Sequence, residues 1–540
     1  MGYALTFFLG ILFVANGYLH FIQFIFLPIN FLLKLGAFLS SVLVPLYRSP
    51  ALAFLFIYIP CRAFFPKVLL LSVTGLPDFS IHQVIAIVIF TFFFVKEIIQ
   101  FRFINWRITL IDLVIIGYLL TIFTSEVIND GFREAQFRVR QVLLDQVIIY
   151  IMARNFIETQ GYRVLFLRTF IYTHLLLVAV LLYDFRYMTE FLNDVFQAGI
   201  SPRVQSRWGY RRVLANYGHP ITCGIIYGQV YILYQWITHW HPFNEQSKLS
   251  KTTYMFVMGT VVAIIPWVIS KLSHSPVYSA CVLILLFAIL FYSIKYMFFD
   301  SPDKRSFQSQ KFPFFTFFLS KRFLSPFSLV LFAGLVLPIS RGPWVNFSVL
   351  FFILWAALTR EKWKIFLLGT ILFFGAVMPF QSYRKEQIEL GQTGIYRHKL
   401  KSIFMDIKEE GGWFGHGIVN SRLVIIEHGY YYAVFSIDDA ALFLHVNHGR
   451  MALIMYYLLL FLPFWYGFIY LLTHKRTEDS TLVVLFMGLS LNFYYNLKTV
   501  WLSPEMAYFY FLILGWMSGF YRQQKLKKKA APQLHPAHAI

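Results

Sequence analysis

Long apolar stretches dominate this chain and restrict what it can fold into. Residues 219–238 contain no Asp, Glu, Lys or Arg, and a run of about 20 such residues is long enough to cross a lipid bilayer as a helix. Inside a membrane every backbone polar group must be paired within the protein, so such runs are expected to be helical. Comparable runs, some shorter, recur at 4–20, 24–46, 50–66, 82–99, 108–124, 138–153, 164–184, 254–272, 277–298, 326–340, 344–358, 364–381, 441–470, 482–499 and 504–521.

These runs predict an all-α fold, a polytopic transmembrane helix bundle of about 14–16 membrane helices. Hydrophobic residues make up 58% of the chain and charged residues 14%, which excludes an ordinary soluble domain. We predict one integral-membrane domain over residues 1–540, because no linker or repeat divides it. The N-terminus has no basic n-region, so it is interpreted as retained membrane sequence rather than a signal peptide.

Basic residues between the runs predict the orientation. The formal net charge is +21, and the basic tail at 522–540 marks the cytoplasmic side and a contact with anionic lipid. Alternation from this tail assigns four segments to the outer side: 125–140, 185–218, 340–343 and 382–440. The segment 382–440 is predicted to be a large extracytoplasmic loop with short helices. Phe404 and Ile407 recur there at helical spacing, and Gly411 marks a stop.

An arginine cluster lies on the predicted outer side, directly before the run at 219–238: Arg203, Arg207, Arg211 and Arg212. Membrane proteins normally keep such charge on the cytoplasmic side, so this cluster is interpreted as a binding site. Guanidinium groups bind phosphate through paired hydrogen bonds, which favours a phosphate-bearing ligand.

Arg341 lies at the outer junction of two short apolar runs, in the sequence SRGPW at 340–344. A charge at the bilayer edge is energetically costly, so it is expected to have an ion-pair partner or a functional role. Arg341 is either an interfacial anchor beside Trp344 or a companion of the arginine cluster around an anionic group. Each guanidinium–phosphate contact would contribute about 1.5–3 kcal/mol. Two or three converging arginines would then hold a diphosphate without a metal.

A second outer basic group contains Arg133, Arg138 and Arg140, of which Arg138 is a candidate ligand residue. Arg138 fits a solvated helix end equally well, because Glu134 lies four residues earlier and can pair with it.

Asp438 and Asp439 are adjacent carboxylates at a predicted membrane boundary. Either is a candidate general base for an acceptor hydroxyl, and the pair fits a helix N-cap with a first-turn carboxylate equally well. His428 and His445 are reserve bases, although a single histidine at a membrane edge is more often structural.

No motif of a cofactor or metal site is present in the sequence. It contains no HExxH pair, Walker A loop, dinucleotide glycine fingerprint or DxD pair. Cys61, Cys223 and Cys281 lie in apolar runs without paired spacing and are interpreted as packing residues. We therefore expect no metal, cofactor or nucleic acid, and a nucleotide-sugar enzyme is disfavoured.

The motifs together resemble the O-antigen ligase and O-antigen polymerase family of bacterial membrane glycosyltransferases. The resemblance covers about residues 130–470. It is carried by ANYGHP at 215–220 after the arginines, SRGPW at 340–344, Arg397, FGHG at 414–417, IDDAAL at 437–442 and NHG at 447–449.

The resemblance implies transfer of a glycan from a polyprenyl diphosphate to an acceptor hydroxyl at the outer face of a bacterial plasma membrane. Outer arginines would bind the diphosphate: Arg203, Arg207, Arg211, Arg212, Arg341, Arg397 and Arg138. Ligases carry a His-Asn pair where this chain has Asp438 and Asp439, which favours a polymerase. The implied partners are a lipid-linked oligosaccharide donor, a glycan acceptor, membrane lipid, and a flippase with export proteins.

Two alternatives stay open. A ligase would transfer one finished glycan to a lipid or protein acceptor. A flippase or transporter of the lipid-linked oligosaccharide would need charges along a central cavity and paired half-repeats. No clear repeat is visible in the sequence.

Overall fold

The computed structural model describes residues 34–65, 79–100, 108–187, 219–241, 325–359, 404–428, 440–474, 477–497 and 504–530, with 70–71, 190, 192, 206–207, 210–213 and 217. These residues are mostly helical, as predicted. Among them, four helices are long and apolar enough to cross a membrane, as expected of a membrane protein. The other predicted spans include runs that lie outside the described residues, such as 254–272 and 277–298.

The helices in chain order are α1 (Lys34–Tyr47), α2 (Pro50–Phe64), α3 (Ile81–Ile99), α4 (Leu110–Asn129), α5 (Phe132–Val142), α6 (Ile148–Phe156), α7 (Arg163–Tyr187), α8 (Pro220–Trp240), α9 (Pro326–Val336), α10 (Arg341–Thr359), α11 (Ile418–Glu427), α12 (Ala440–Thr473), α13 (Glu478–Leu497) and α14 (Pro504–Ala530). Two antiparallel hairpins pair β1 (Leu70–Leu71) with β2 (Phe79–Ser80) and β3 (Ser206–Arg207) with β4 (Tyr210–Arg211). Residues 404–410 form one more short helical segment, which ends before Gly411 as predicted.

Capping side chains set several helix starts. Thr109 caps α4, since its hydroxyl accepts the Asp112 amide and the Asp112 carboxylate accepts the Thr109 amide. The Ser325 hydroxyl accepts the Ser328 amide and so caps α9, directly before Pro326. Proline is favoured at the first position of a helix because a backbone N–H there would have no partner within the helix, so its absence costs nothing.

The core of the bundle is formed around α8 and α14. Nearly every side chain of α8 is buried, and so are residues 505–520 of α14. The candidate spans α3, α4 and α12 instead expose apolar side chains: Phe94, Ile98, Leu113, Ile116, Leu120, Phe461 and Trp465. Such apolar faces are unfavourable in water but suited to lipid. Cys61 and Cys223 are buried free thiols, as expected of packing residues, and Cys281 lies outside the described residues.

The two ends of the bundle carry different polar groups. At the tail end, where α14 continues toward the C-terminus, the Arg163 guanidinium binds the carboxylates of Glu158, Glu478 and Asp479 at 2.8–2.9 Å. At the opposite end, here called the loop end, α4 ends and α8, α10 and α12 begin. Four segments were predicted to lie on the outer side, and their described residues lie at this loop end.

Two segments differ from the sequence-based expectation. A π-helical turn, Leu143–Val147, joins α5 to α6, so the run expected at 138–153 extends back to Phe132. Hydropathy does not show this extension because α5 is amphipathic and rich in arginine. Part of the arginine cluster forms the β3–β4 hairpin, where Arg207 pairs with Tyr210 and Arg211 with Ser206. Because strand positions alternate between faces, positions 207 and 211 lie on opposite faces of the hairpin.

Candidate functional site

A loop at 412–417 pairs with the broken first part of α12. Gly449 departs from helical geometry, with φ 78° and ψ −172°, and this break leaves nearby backbone groups without partners inside the helix. The loop supplies partners through four backbone hydrogen bonds: His416 to Val446 at 3.0 Å, Gly417 to Asn447 at 2.8 Å, Arg450 to Gly412 at 3.2 Å and Met451 to Trp413 at 3.2 Å. The motifs FGHG and NHG, far apart in sequence, therefore form one structural unit.

Glycine is required on both sides of this contact. A Cβ on Gly449 would collide with the Trp413 carbonyl and the Gly415 amide. A Cβ on Gly415, which has φ +71°, would lie 2.5 Å from the Asn447 carbonyl carbon. Ser125 on α4 reinforces the unit, because its hydroxyl hydrogen-bonds to the Phe414 and Asn447 carbonyls.

Asp130 connects the end of α4 to the start of α11. Its carboxylate accepts the amides of Val419 at 2.8 Å and Asn420 at 3.0 Å. A carboxylate is favourable at this position because the first helical amides are unpaired and the helix dipole is positive there. Gly417 packs against the same carboxylate, where a Cβ would collide with it.

Three ionisable side chains lie together beside this loop, and we call them the Glu126 cluster: Glu126, Arg138 and His448. Glu126 is 0% exposed, and its Oε1 lies 3.4 Å from Nδ1 of His448. Asp130 and the Ile418 backbone approach the Glu126 carboxyl group. Nδ1 of His448 and Nε of Arg138 make no hydrogen bond within the described residues. Buried polar groups are normally paired, so this cluster is a candidate for function.

Arg138 belongs to this cluster rather than to a solvated helix end. Its Nη1 donates to Oε1 of Gln141 at 3.2 Å. Burial lowers the pKa of Arg138, and Glu126, ahead of Glu134, is the strongest of the neighbouring charges that raise it. The pairing with Glu134 that the sequence suggested is therefore the lesser interaction.

Arg212 joins the arginine cluster to the sequence at 340–344. Its Nη2 donates to Oγ of Ser340 at 2.6 Å, and its Nε donates to the Pro338 carbonyl at 3.2 Å. Arg341 is the first residue of α10, directly after Ser340. Two of the arginine-bearing segments thus meet at the start of one helix.

The remaining predicted site residues fall into two groups. His428 is the C-cap of α11: its Nδ1 hydrogen-bonds to the Val424 carbonyl at 2.9 Å, and its Nε2 lies 3.4 Å from Glu410. The hydrogen bond to Val424 and the Glu410 carboxylate raise its pKa. The others lie outside the described residues: Arg203, Arg397, Asp438 and Asp439. The helix α12 begins at Ala440, immediately after them.

Two motif histidines have structural contacts, as expected for single histidines at a membrane edge. Nδ1 of His219 accepts the Ile221 amide and caps α8. Nε2 of His416 lies 2.8 Å from the Ile407 carbonyl and fixes the loop to the segment 404–410.

Glu126 and the buried pair of Arg62 and Glu505, whose charged atoms are 3.9 Å apart, were not predicted from the sequence. The signal for Glu126 was weak, because it lies just past the run at 108–124, in the segment 125–140 that also contains other charged residues. No group of three or more His, Cys, Asp or Glu that could hold a metal occurs among the described residues.

The described residues form a helical protein with four helices able to cross a membrane and with paired loop motifs at the loop end. Searches against models of known protein families, curated proteins and solved structures gave no significant match.

Proposed function

We propose that this protein polymerises polyprenyl-diphosphate-linked oligosaccharide repeat units into a surface or secreted polysaccharide. The observation that supports this most directly is the contact of Arg212 with Ser340. It brings an arginine of the cluster to the start of α10, where Arg341 and the positive end of the helix dipole add further positive potential. Such a site suits a diphosphate.

The proposed reaction is a metal-independent, inverting glycosyl transfer. The acceptor hydroxyl oxygen attacks the anomeric carbon of the donor, the bond from that carbon to the diphosphate oxygen breaks, and the hydroxyl proton passes to a base. Negative charge grows on the departing diphosphate. Preplaced guanidinium groups stabilise this charge where it develops, which lowers the barrier.

The proton needs an acceptor, and the chain offers two sets of candidates. Asp438, Asp439 and His428 are the candidates from the sequence. His448 is a further candidate from the Glu126 cluster, because its Nδ1 lies 3.4 Å from Oε1 of Glu126. A hydrogen bond formed between these two atoms when substrate binds would keep a proton on Nδ1 and leave Nε2 to accept one.

The bilayer is part of the proposed site. Four helices able to cross a membrane would keep the loop end at a lipid surface, where a donor with a polyprenyl tail is held. We assign this end to the outer face of a bacterial plasma membrane. A flippase would supply the donor there, and export proteins would remove the polymer.

A transporter has one observation in its favour. A cavity between α2, α7, α8 and α14 is lined by Arg62, His174, Tyr217 and Glu505, and the Tyr217 hydroxyl makes no hydrogen bond within the described residues. The cavity has room for about one water molecule, far less than an oligosaccharide needs. Polymerisation therefore remains the proposed activity.

Substitution of the converging arginines tests the proposal. In cells that depend on this chain for polysaccharide, we expect Arg212→Ala and Arg341→Ala each to lower polymerisation about 10- to 150-fold, because each removes one diphosphate contact. Ser340→Ala should give a smaller loss, since it frees Arg212 from its anchor but keeps the charge. Polymer on gels and protein in membranes would both be measured.

Arg48→Ala, on an exposed arginine in the turn between α1 and α2, is the control and should leave the polymer unchanged. Normal polymer in both Arg212→Ala and Arg341→Ala at normal protein levels would contradict the diphosphate site.

A further inference from the structure

The outward face of α11 mixes apolar and charged side chains. Val419 and Leu423 are 42% and 53% exposed, beside the exposed Arg422 and Glu427. The inward face carries Ser421 and Ile425, which are buried. A surface helix in water normally turns its apolar side to the core, whereas α11 also exposes two large apolar side chains. Such a mixed face suits the boundary between lipid and water.

The neighbouring helix α5 repeats this arrangement. Its outward side chains include Phe132, which is 59% exposed, and Phe137, while Ala135 is buried beneath them. Trp413 and Phe414 of the loop are exposed as well. We call this set of outward side chains the apolar platform: Phe132, Phe137, Trp413, Phe414, Val419 and Leu423.

The apolar platform continues the lipid-facing side of α4. The ring of Phe132 packs edge-on against Phe123 of α4, with centroids 6.1 Å apart. Ile128, in the last turn of α4, is 60% exposed. Asp130 in turn holds the start of α11 beside the α4–α5 junction. An apolar surface thus runs from a candidate membrane span onto both short helices.

Arginines at the apolar platform point to the headgroup layer as its surroundings. Of the three arginines of α5, Arg138 belongs to the Glu126 cluster, and Arg133 and Arg140 remain, with one acid on the helix. The guanidinium of Arg140 lies over the rings of Phe137 and Phe79 at 5.0 and 5.2 Å. Aromatic rings and arginines together are typical of the zone where lipid tails meet headgroups, and the excess positive charge suits anionic lipids.

We propose that the apolar platform is a membrane contact: α5, α11 and the tip of the loop lie in the headgroup layer of the same bilayer that the four candidate spans cross. This inference does not depend on the glycosyl-transfer proposal. If both hold, the paired loop sits at the depth of a lipid-linked diphosphate.

Spin labels on single cysteines test this contact. With Cys61, Cys223 and Cys281 replaced by alanine, labels are placed at Val419→Cys and Leu423→Cys, and the protein is reconstituted in vesicles of phosphatidylethanolamine and phosphatidylglycerol. We expect both labels to meet oxygen more readily than a water-soluble nickel chelate, at a depth of about 5–10 Å. Asp406→Cys, on an exposed polar position of the segment 404–410, is the control and should meet the chelate more readily.

Two outcomes would overturn the proposal. A preference for the nickel chelate at both 419 and 423 would mean that the face lies in water. Low accessibility to both reagents would mean that protein, from a partner or a second copy, covers it. Thermal unfolding of each labelled variant would show that the chain is folded.

Discussion

Gly449→Ala is expected to release the loop from α12 and abolish function. At φ 78° and ψ −172° the residue occupies a region open essentially to glycine alone, so alanine would cost about 1–3 kcal/mol in backbone strain. The added Cβ would also collide with the Trp413 carbonyl and the Gly415 amide. The four backbone hydrogen bonds of the loop should then open together. Limited proteolysis within 404–428 and thermal unfolding in detergent would measure this.

Two other glycines serve as controls that distinguish the effect of backbone strain from the effect of a steric collision by the added Cβ. Gly131 also has a positive φ, +89°, but a Cβ there would meet nothing within 4 Å. Gly131→Ala should therefore destabilise less than Gly449→Ala and leave the loop resistant to protease. Gly36 lies in α1 with open space around it, so Gly36→Ala should be neutral. Equal protease resistance of the Gly449→Ala loop and the native loop would contradict the pairing.

His448→Gln is expected to lower the turnover number about 10²- to 10⁴-fold while the KM for the donor changes little, because loss of a general base affects the chemical step rather than donor binding. Glu126→Gln should lower turnover less. The glutamine keeps the size and shape of the buried side chain, which lies 3.4 Å from Nδ1 in the native protein, and removes only its ability to carry a charge beside the ring. The measurement is the rate of chain extension by purified variants at varied donor concentration.

The control for this experiment is His474→Gln, at the tail end of the bundle, where Nδ1 lies 2.8 Å from the Tyr470 carbonyl. It should retain native turnover. A purely structural role for the Glu126 cluster would lower the unfolding temperature of His448→Gln and leave the turnover of the folded fraction unchanged. That result would return the role of base to Asp438, Asp439 or His428.

The helical fold was predictable because long apolar runs have one stable structure in a membrane. Predicted and observed helices agree closely at 82–99 and 219–238, whereas the helix predicted at 504–521 continues to Ala530. The charge-rich start of α5 was not predictable from hydropathy. α5 is helical because it packs against α4, and its arginines lower the mean hydropathy of the segment.

The site was only partly predictable. The sequence singled out FGHG and NHG, but their pairing depends on the positive φ of Gly449, which a sequence does not show. Arg138 was recognised, whereas its neighbour Glu126 was not. Glu126 lies near Arg138 and His448 because α4, α5 and α12 pack together there. Glu126 and His448 are more than 300 positions apart in the sequence.

The Arg212 contact illustrates the same limit. Composition and charge alternation indicated that Arg341 is either an interfacial anchor or a companion of the arginine cluster. They did not indicate that Arg212 would be anchored by Ser340, the residue before Arg341, through a hydrogen bond of 2.6 Å. Arg203 and Arg397 lie outside the described residues, so their part in a diphosphate site stays a prediction.

Reconstitution tests the central claim most directly. The purified protein in vesicles would be incubated with lipid-linked oligosaccharides extracted from cells in which its gene is deleted, and the products would be separated by length. Polymerisation predicts a ladder of lipid-linked products that grows by one repeat unit, with release of polyprenyl diphosphate. A single transfer to a different acceptor, or movement of intact donor across the bilayer without a new glycosidic bond, would contradict it.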